Sequence, residues 1–211
     1  MPPSRILPAF LTLVALSLPT LGAQAVPYVR VERQSAAGVA LAVHIPAPDF
    51  DVQVDEDGWR RVRIGDLPNV THAGHPELPV LLATLGIPEG AEVRMSYRSA
   101  GEIGSVGPPV RAVADIDATS REISRRPDPA VYSRATPWPE ERVTLEVVRF
   151  RGLRLARLLI HPARYDAGSR ELLLTPALDI QIEFIGGDGF AAGDGKLLPI
   201  EDRLVRGLLN R

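Results

Sequence analysis

The chain contains no cysteine. That excludes a thiol nucleophile, a disulfide and a thiolate metal site together. Histidine is scarce: His44, His72, His75 and His161 are the whole supply, so chemistry that needs imidazole has few places to reside. No Gly-x-Ser-x-Gly elbow occurs, which removes the commonest signature of a serine hydrolase. Charge of one sign is missing as well. A net charge of -2 does not supply the dense Lys/Arg surface that a nucleic-acid backbone demands. Beyond the N-terminus no apolar run reaches the length of a bilayer span. Glycine and proline, by contrast, are plentiful, and they cut the chain into short segments, as turns do in β proteins.

The first 25 residues read as a secretion signal. Arg5 supplies the positive start, Ile6 to Leu18 the apolar run, Pro19 and Gly22 the helix break, and Ala23-Gln24-Ala25 the small-residue cleavage site after Ala25. The run is too short and too interrupted by proline to serve as a membrane anchor. A secreted mature chain starting at Val26, with no membrane segment after signal removal, is expected.

Along that chain the dominant period is two. In Asp179-Ile180-Gln181-Ile182-Glu183-Phe184 the apolar residues face one way and the polar ones the other. Val39 to Ile45, Val93 to Arg98, Val52 with Val54, and Val62 with Ile64 follow the same rule. Each predicts a strand of an antiparallel sheet with one dry face. Val80 to Ile87 and Leu153 to Ile160 are apolar on both faces. Their length and bounding prolines favour central strands. Arg151-Gly152 reads as the turn of a hairpin that joins Val143–Phe150 to Leu153–Ile160. The fold class expected is all-β, an antiparallel β-sandwich over residues 26–185, followed by a flexible joint and a short C-terminal helix over 186–211. Pro199, Glu201 and Asp202 mark that helix start, and Leu204, Val205, Leu208 and Leu209 its apolar face. One segment stands apart: Gly104 to Glu141 is proline-dense, with little alternation and with arginines at 111, 121, 125, 126 and 134. It reads as a long surface excursion, partly strand near Val110 to Ala114. Loops of that length in compact domains carry function or are disordered.

Candidate chemistry is thin. His72-Ala73-Gly74-His75-Pro76-Glu77 contains ligand types for zinc, but the spacing is not helical and no further ligand completes a set, so a polar turn positioning the next strand is expected, with no metal and no cofactor. Asp51, Asp55, Glu56 and Asp57 lack calcium-loop spacing and read as a strand end and turn. The functional lead is the basic excursion. An exposed arginine on a proline-stiffened loop can enter a protease pocket that ends in a carboxylate.

Gly74-His75-Pro76-Glu77-Leu78-Pro79-Val80-Leu81, followed by Ile87-Pro88-Glu89-Gly90-Ala91-Glu92-Val93, resembles the "G-x-P-x-L-P … x-P-x-G-A-x-V" signature of gingipain-type propeptides. Later blocks are similar to the same family in order and spacing: Val131-Tyr132, Pro137-Trp138-Pro139, Arg151 to Arg154, His161 to Tyr165, Leu172 to Phe184, and the joint at Leu208-Leu209-Asn210. The resemblance implies a jelly-roll β-sandwich, and a non-catalytic chain that assists folding and keeps a secreted cysteine peptidase latent until proteolysis removes it. It implies a gingipain-like catalytic domain as partner, in cis or in trans, whose His-Cys dyad this chain does not carry. It implies a basic side chain that blocks the primary specificity pocket, for which Arg111, Arg125 and Arg126 are candidates, and processing after Arg203, Arg206 or Arg211. The competing reading is a free-standing secreted module that binds carbohydrate or a surface polymer. Aromatics make up only 5% of the chain, and Tyr97, Phe150 and Phe184 sit in alternations that read as buried, which weighs against sugar.

Overall fold

A strand alternates its side chains between two faces, so a dyad sequence pattern becomes a sheet with one dry side. The computed structural model describes residues 26–70, 72–117, 119–150, 152–187 and 208–209, and there this rule organises nearly everything. The expected signal peptide, most of the C-terminal helix and of the joint before it, and Arg203, Arg206 and Arg211 lie outside the described residues; of that helix Leu208 and Leu209 are described, and neither is helical. Fourteen strands are named, and every pairing between them is antiparallel. Among the described residues no helix is long and apolar enough to cross a membrane.

The first sheet has the order β1 (Val29–Ser35), β2 (Gly38–His44), β14 (Ala177–Ile185), β6 (Glu92–Ala100). On β14 the buried Leu178, Ile180, Ile182 and Phe184 alternate with wet Asp179, Gln181 and Glu183. On β2, Val39, Leu41 and Val43 point inward, and the small Gly38, Ala40 and Ala42, with exposed His44 at the end, lie opposite them. The second sheet has the order β10 (Val143–Phe150), β11 (Leu153–Ile160), β5 (Leu81–Gly86). The β10–β11 hairpin runs in register from Val143↔Ile160 to Phe150↔Leu153, with Gly152 at φ +83° in its tight turn. Leu81, Ala83 and Leu85 of β5, Ala156, Leu158 and Ile160 of β11, and the inward faces of β2 and β14 meet in one apolar cluster. Partly buried Leu209 packs against it, and the Leu209 N–H donates to the Thr84 carbonyl at 3.1 Å, along the β5 side that β11 does not use.

A smaller cluster lies under the remaining strands: the hairpin of β3 (Phe50–Val54) with β4 (Arg60–Ile64), and the sheet β12 (Ala163–Asp166), β13 (Glu171–Leu174), β7 (Ile103–Val106). Val62, Leu78, Val110, Ala163, Tyr165, Leu172 and Leu174 fill it, with Tyr132 and Trp138 packed against it. Asp55 closes the β3–β4 turn as expected of a strand end: its carboxylate accepts from the Trp59 N–H at 2.9 Å. Arg60 is only 3% exposed. Its guanidinium donates to the carbonyls of Pro108 (2.5 Å), Ser105 (2.8 Å) and Arg170 (2.6 Å) and lies 5.7 Å over the Tyr165 ring.

His161 ends β11 inside the protein, 6% exposed, and its Nδ1 has no hydrogen-bond partner among the described residues. Burial, with the Arg164 charge second, lowers its pKa to about 4. The folded state therefore holds the ring neutral where the unfolded chain protonates it near 6.5. Stability is complete above the unfolded value, falls as pH drops through this window, and stops falling near the folded value. The loss is about 3 kcal/mol at most. His75, also lowered by burial, adds in the same direction. Urea midpoints measured between pH 7.5 and 4.5 should show the drop, and His161→Gln should flatten most of it. A profile unaltered by that substitution would contradict the assignment.

Candidate functional site

The segment that the sequence marks as an excursion is not a solvated loop from end to end. Val110, Ala112 and Val131 are buried at 0%, 1% and 5% exposure. The correction has a simple cause. Backbone polar groups near a core must be paired, and here the Gly74–Glu77 turn pairs them. Gly74 N–H donates to Val113 O (3.0 Å), Val113 N–H to His75 O (2.8 Å) and Glu77 N–H to Arg111 O (2.8 Å), with an antiparallel bridge between Pro76 and Ala112. On the returning limb Asp128 N–H donates to Gly74 O at 2.9 Å. Gly74 sits at φ +78°, and a Cβ there would stand 3.2–3.3 Å from Asp128 and from the Arg126 carbonyl. Only glycine meets both demands. The turn thus clasps an outgoing limb (111–113) and a returning limb (126–128) side by side.

Between the limbs projects an arm, the two-stranded ribbon of β8 (Asp115–Ile116) and β9 (Ile123–Ser124). Its tip is a tight loop. Asp117 N–H donates to Glu122 O (3.0 Å), and the Asp117 carboxylate accepts from the N–H groups of Ser120 (2.6 Å) and Thr119 (2.8 Å). Those two donors, Ser120 first, hold the Asp117 carboxyl below its usual range. Arg121 closes the loop in the left-handed region, φ +59°, with its N–H on Asp117 O (2.9 Å). Ile116 and Ile123, directly paired across the ribbon, are 63% and 64% exposed. Below the ribbon the chain turns into a short helix, α1 (Pro129–Tyr132). The Asp128 carboxylate caps it by accepting from the Ala130 N–H at 2.8 Å. Tyr132 Oη donates to Val110 O at 2.8 Å, and Trp138 bridges Tyr165 through two backbone bonds. These contacts stiffen the base.

The arginines separate into two kinds. Arg111 is tucked against the body, its side chain 17% exposed, paired with Glu77 at 2.7 Å and facing Asp55 at 3.9 Å. Arg125 reaches back to Glu77 at 3.4 Å and to Ala112 O at 3.2 Å. Arg126 and Arg121 are exposed, and among the described residues neither side chain has a polar partner. The structure therefore brings two of the three expected candidates to Glu77 and leaves Arg126 presented. Arg121, which belongs to the basic run but not to those candidates, stands at the tip. The signal for it lies in Ile116-Asp-Ala-Thr-Ser-Arg-Glu-Ile123, two isoleucines flanking a polar, turn-forming sextet.

His72 and His75 have ring centroids 5.5 Å apart, and His75 meets the Trp138 ring edge-on at 5.1 Å. Among the described residues no three His, Asp or Glu side chains group as a metal site would require. Phe184 is buried as expected, but Tyr97 (37%) and Phe150 (42%) are not. Tyr97 lies on the edge strand β6, where its hydroxyl donates to Glu141 at 3.1 Å, and Phe150 lies at the end of β10 beside the hairpin turn.

A family model, Propeptide_C25, matches residues 24–195. No curated protein matches the chain. Among solved structures, one described as the complex of Porphyromonas gingivalis RgpB pro- and mature domains is similar at a TM-score of 0.70 and 16% identity, over 87% of this chain and 97% of that one. A structure described as giving insight into the zymogenic latency of gingipain K from the same organism is similar at 0.58 and 17%, over 79% and 95%.

Proposed function

This chain belongs to the Propeptide_C25 family, and on that premise we propose that it is the propeptide of a secreted gingipain-like cysteine peptidase. It assists folding of the catalytic domain and holds it latent, in cis or in trans, and has no catalytic role of its own. The arrangement of two sheets over one core is read as the jelly-roll sandwich of such propeptides. The observation that carries the proposal is the arm. A ribbon with a hydrogen-bonded tip, rooted by buried Val110 and Ala112 before it and Val131 after it, presents Arg121 and Arg126 to solvent. Pre-organisation of that kind lowers the ordering cost of binding. A planar guanidinium fits a pocket that ends in a carboxylate. Arg111 and Arg125, drawn to Glu77, support the arm from below.

Adding the purified chain to the catalytic domain of an arginine-preferring gingipain-type peptidase should abolish turnover of a small substrate near equimolar ratio. Unchanged turnover removes the latency reading. A faster or fuller recovery of the peptidase on refolding with the chain present tests the folding role separately.

One observation favours the competing reading, a secreted module for carbohydrate or a surface polymer. A groove of about 530 Å³ on the first sheet is lined by Glu32, Arg33, Ser96, Tyr97, Arg98 and Gln181 among others. Its lining mixes charged and polar groups with Ala40 and Leu41 and holds one aromatic residue, Tyr97, whereas drug-sized ligands favour pockets lined mainly by apolar and aromatic side chains. Binding of soluble oligosaccharides lost in Tyr97→Ala, together with no inhibition of peptidase, would favour it.

A further inference from the structure

Glu77 lies in the Gly74–Glu77 turn, 22% exposed, yet its carboxylate faces groups from three separate stretches of chain. Oε2 accepts from Arg111 Nε at 2.8 Å and Nη2 at 2.7 Å, on the outgoing limb of the arm. The same oxygen accepts from Arg125 Nη1 at 3.4 Å, on the returning limb. Oε1 accepts from Asn69 Nδ2 at 3.3 Å, which ties the group to the body. Arg125 Nη1 also donates to Ala112 O at 3.2 Å, across the root of the ribbon. An arginine–carboxylate–arginine bridge is therefore stretched across the two limbs where the arm leaves the body. Charge-assisted hydrogen bonds of this sort are the strong ones, and here they are half-shielded from water.

We propose that Glu77 is the positioning residue of the arm, a single carboxylate that fastens outgoing and returning limbs to each other and to the scaffold. The significance for latency rests on the reading of the arm as the element that engages the peptidase, but the fastening itself does not. Backbone bonds from Gly74, His75 and Glu77 to the limbs persist whatever the side chain at position 77. Loss of the carboxylate therefore loosens the arm rather than the fold. The limbs keep their roots, but two guanidiniums turn to solvent and the ribbon swings on them.

The test is native-state trypsin cutting of the full chain, followed by mass spectrometry, beside inhibition of the peptidase. In Glu77→Gln, cutting after Arg121 or Arg125 (Arg126 precedes Pro127, a bond trypsin does not cut) should speed up by about 10-fold, the change expected when a local opening becomes about 1.4 kcal/mol easier. Cutting elsewhere and the thermal midpoint should hardly move. Arg125→Ala, at a half-exposed position, should shift cutting after Arg121 in the same direction by less. Inhibition by Glu77→Gln should weaken by a similar factor. Unchanged cutting in both variants overturns the role assigned to Glu77. Faster cutting with undiminished inhibition upholds that role and overturns the reading of the arm as the inhibitory element.

Discussion

Replacing Arg121 and Arg126 together with alanine weakens inhibition of the partner peptidase by about 100-fold or more, which is about 2.7 kcal/mol of binding. Both side chains are exposed and without polar partners among the described residues, so nothing in the folded chain depends on them. The thermal midpoint is expected to stay within a degree or two of the parent. The single variants divide the loss: the arginine that enters the pocket carries most of it, because hot-spot energy concentrates in one or two desolvated side chains. Arg111→Ala behaves differently. It strips away the packing of a side chain only 17% exposed along with the 2.7 Å contact to Glu77, and the lost packing lowers stability as well as inhibition. Inhibition constants and midpoints measured on the same preparations separate the two patterns. Equal inhibition by the double variant and the parent would remove the arm's exposed arginines from the account.

Arg60→Leu is expected to cost about 3–5 kcal/mol of stability, the scale on which buried polar networks fail when one member is removed. The guanidinium is buried, and among the described residues no carboxylate neutralises it. Its partners are the carbonyls of Ser105, Pro108 and Arg170 and the face of Tyr165. Leucine would remove three charge-assisted bonds and the cation from the Tyr165 face, with the Arg170 carbonyl keeping a second donor, the Gly107 N–H at 3.3 Å. Each hydrogen bond lost from a charged group is worth about 1.5–3 kcal/mol before relaxation. Arg60→Lys should fall between, because an ammonium cannot fan donors toward three carbonyls. Chemical denaturation measures both. Since Ser105 and Pro108 lie where the chain enters the excursion, the lysine variant should also raise cutting within the arm. A loss under about 1 kcal/mol in Arg60→Leu would show that the guanidinium is not the lock described.

Much of the fold was legible because the strands obey the period-two rule. Asp179 to Phe184, Val39 to Ile45 and the Arg151-Gly152 hairpin emerged at nearly their observed bounds. Val80 to Ile87, observed as Leu81–Gly86, and Leu153 to Ile160 read as strands because proline limits their length. The excursion was legible only as an anomaly. Val110 and Ala112 are buried by a turn some 35 residues earlier in the chain, and no local pattern encodes a contact that distant. The candidate arginines show the same boundary. Exposure was inferred for Arg111 from its proline-rich setting, but Glu77 and Asp55, remote in sequence, draw it inward. Arg60 shares the inward parity of Val62 and Ile64, and its burial is made tolerable by carbonyls that only the folded chain assembles. Tyr97 and Phe150 misled for a related reason. Alternation identifies a face, but whether that face is covered depends on which strand ends up at the edge of its sheet.

The most direct test compares binding of the chain to its partner catalytic domain with the primary specificity pocket empty and with that pocket filled by a small arginine mimic such as benzamidine. If an arm arginine occupies the pocket, the two ligands exclude each other, and apparent affinity for the chain falls in proportion to pocket occupancy. Equal affinity with the pocket filled would contradict the account.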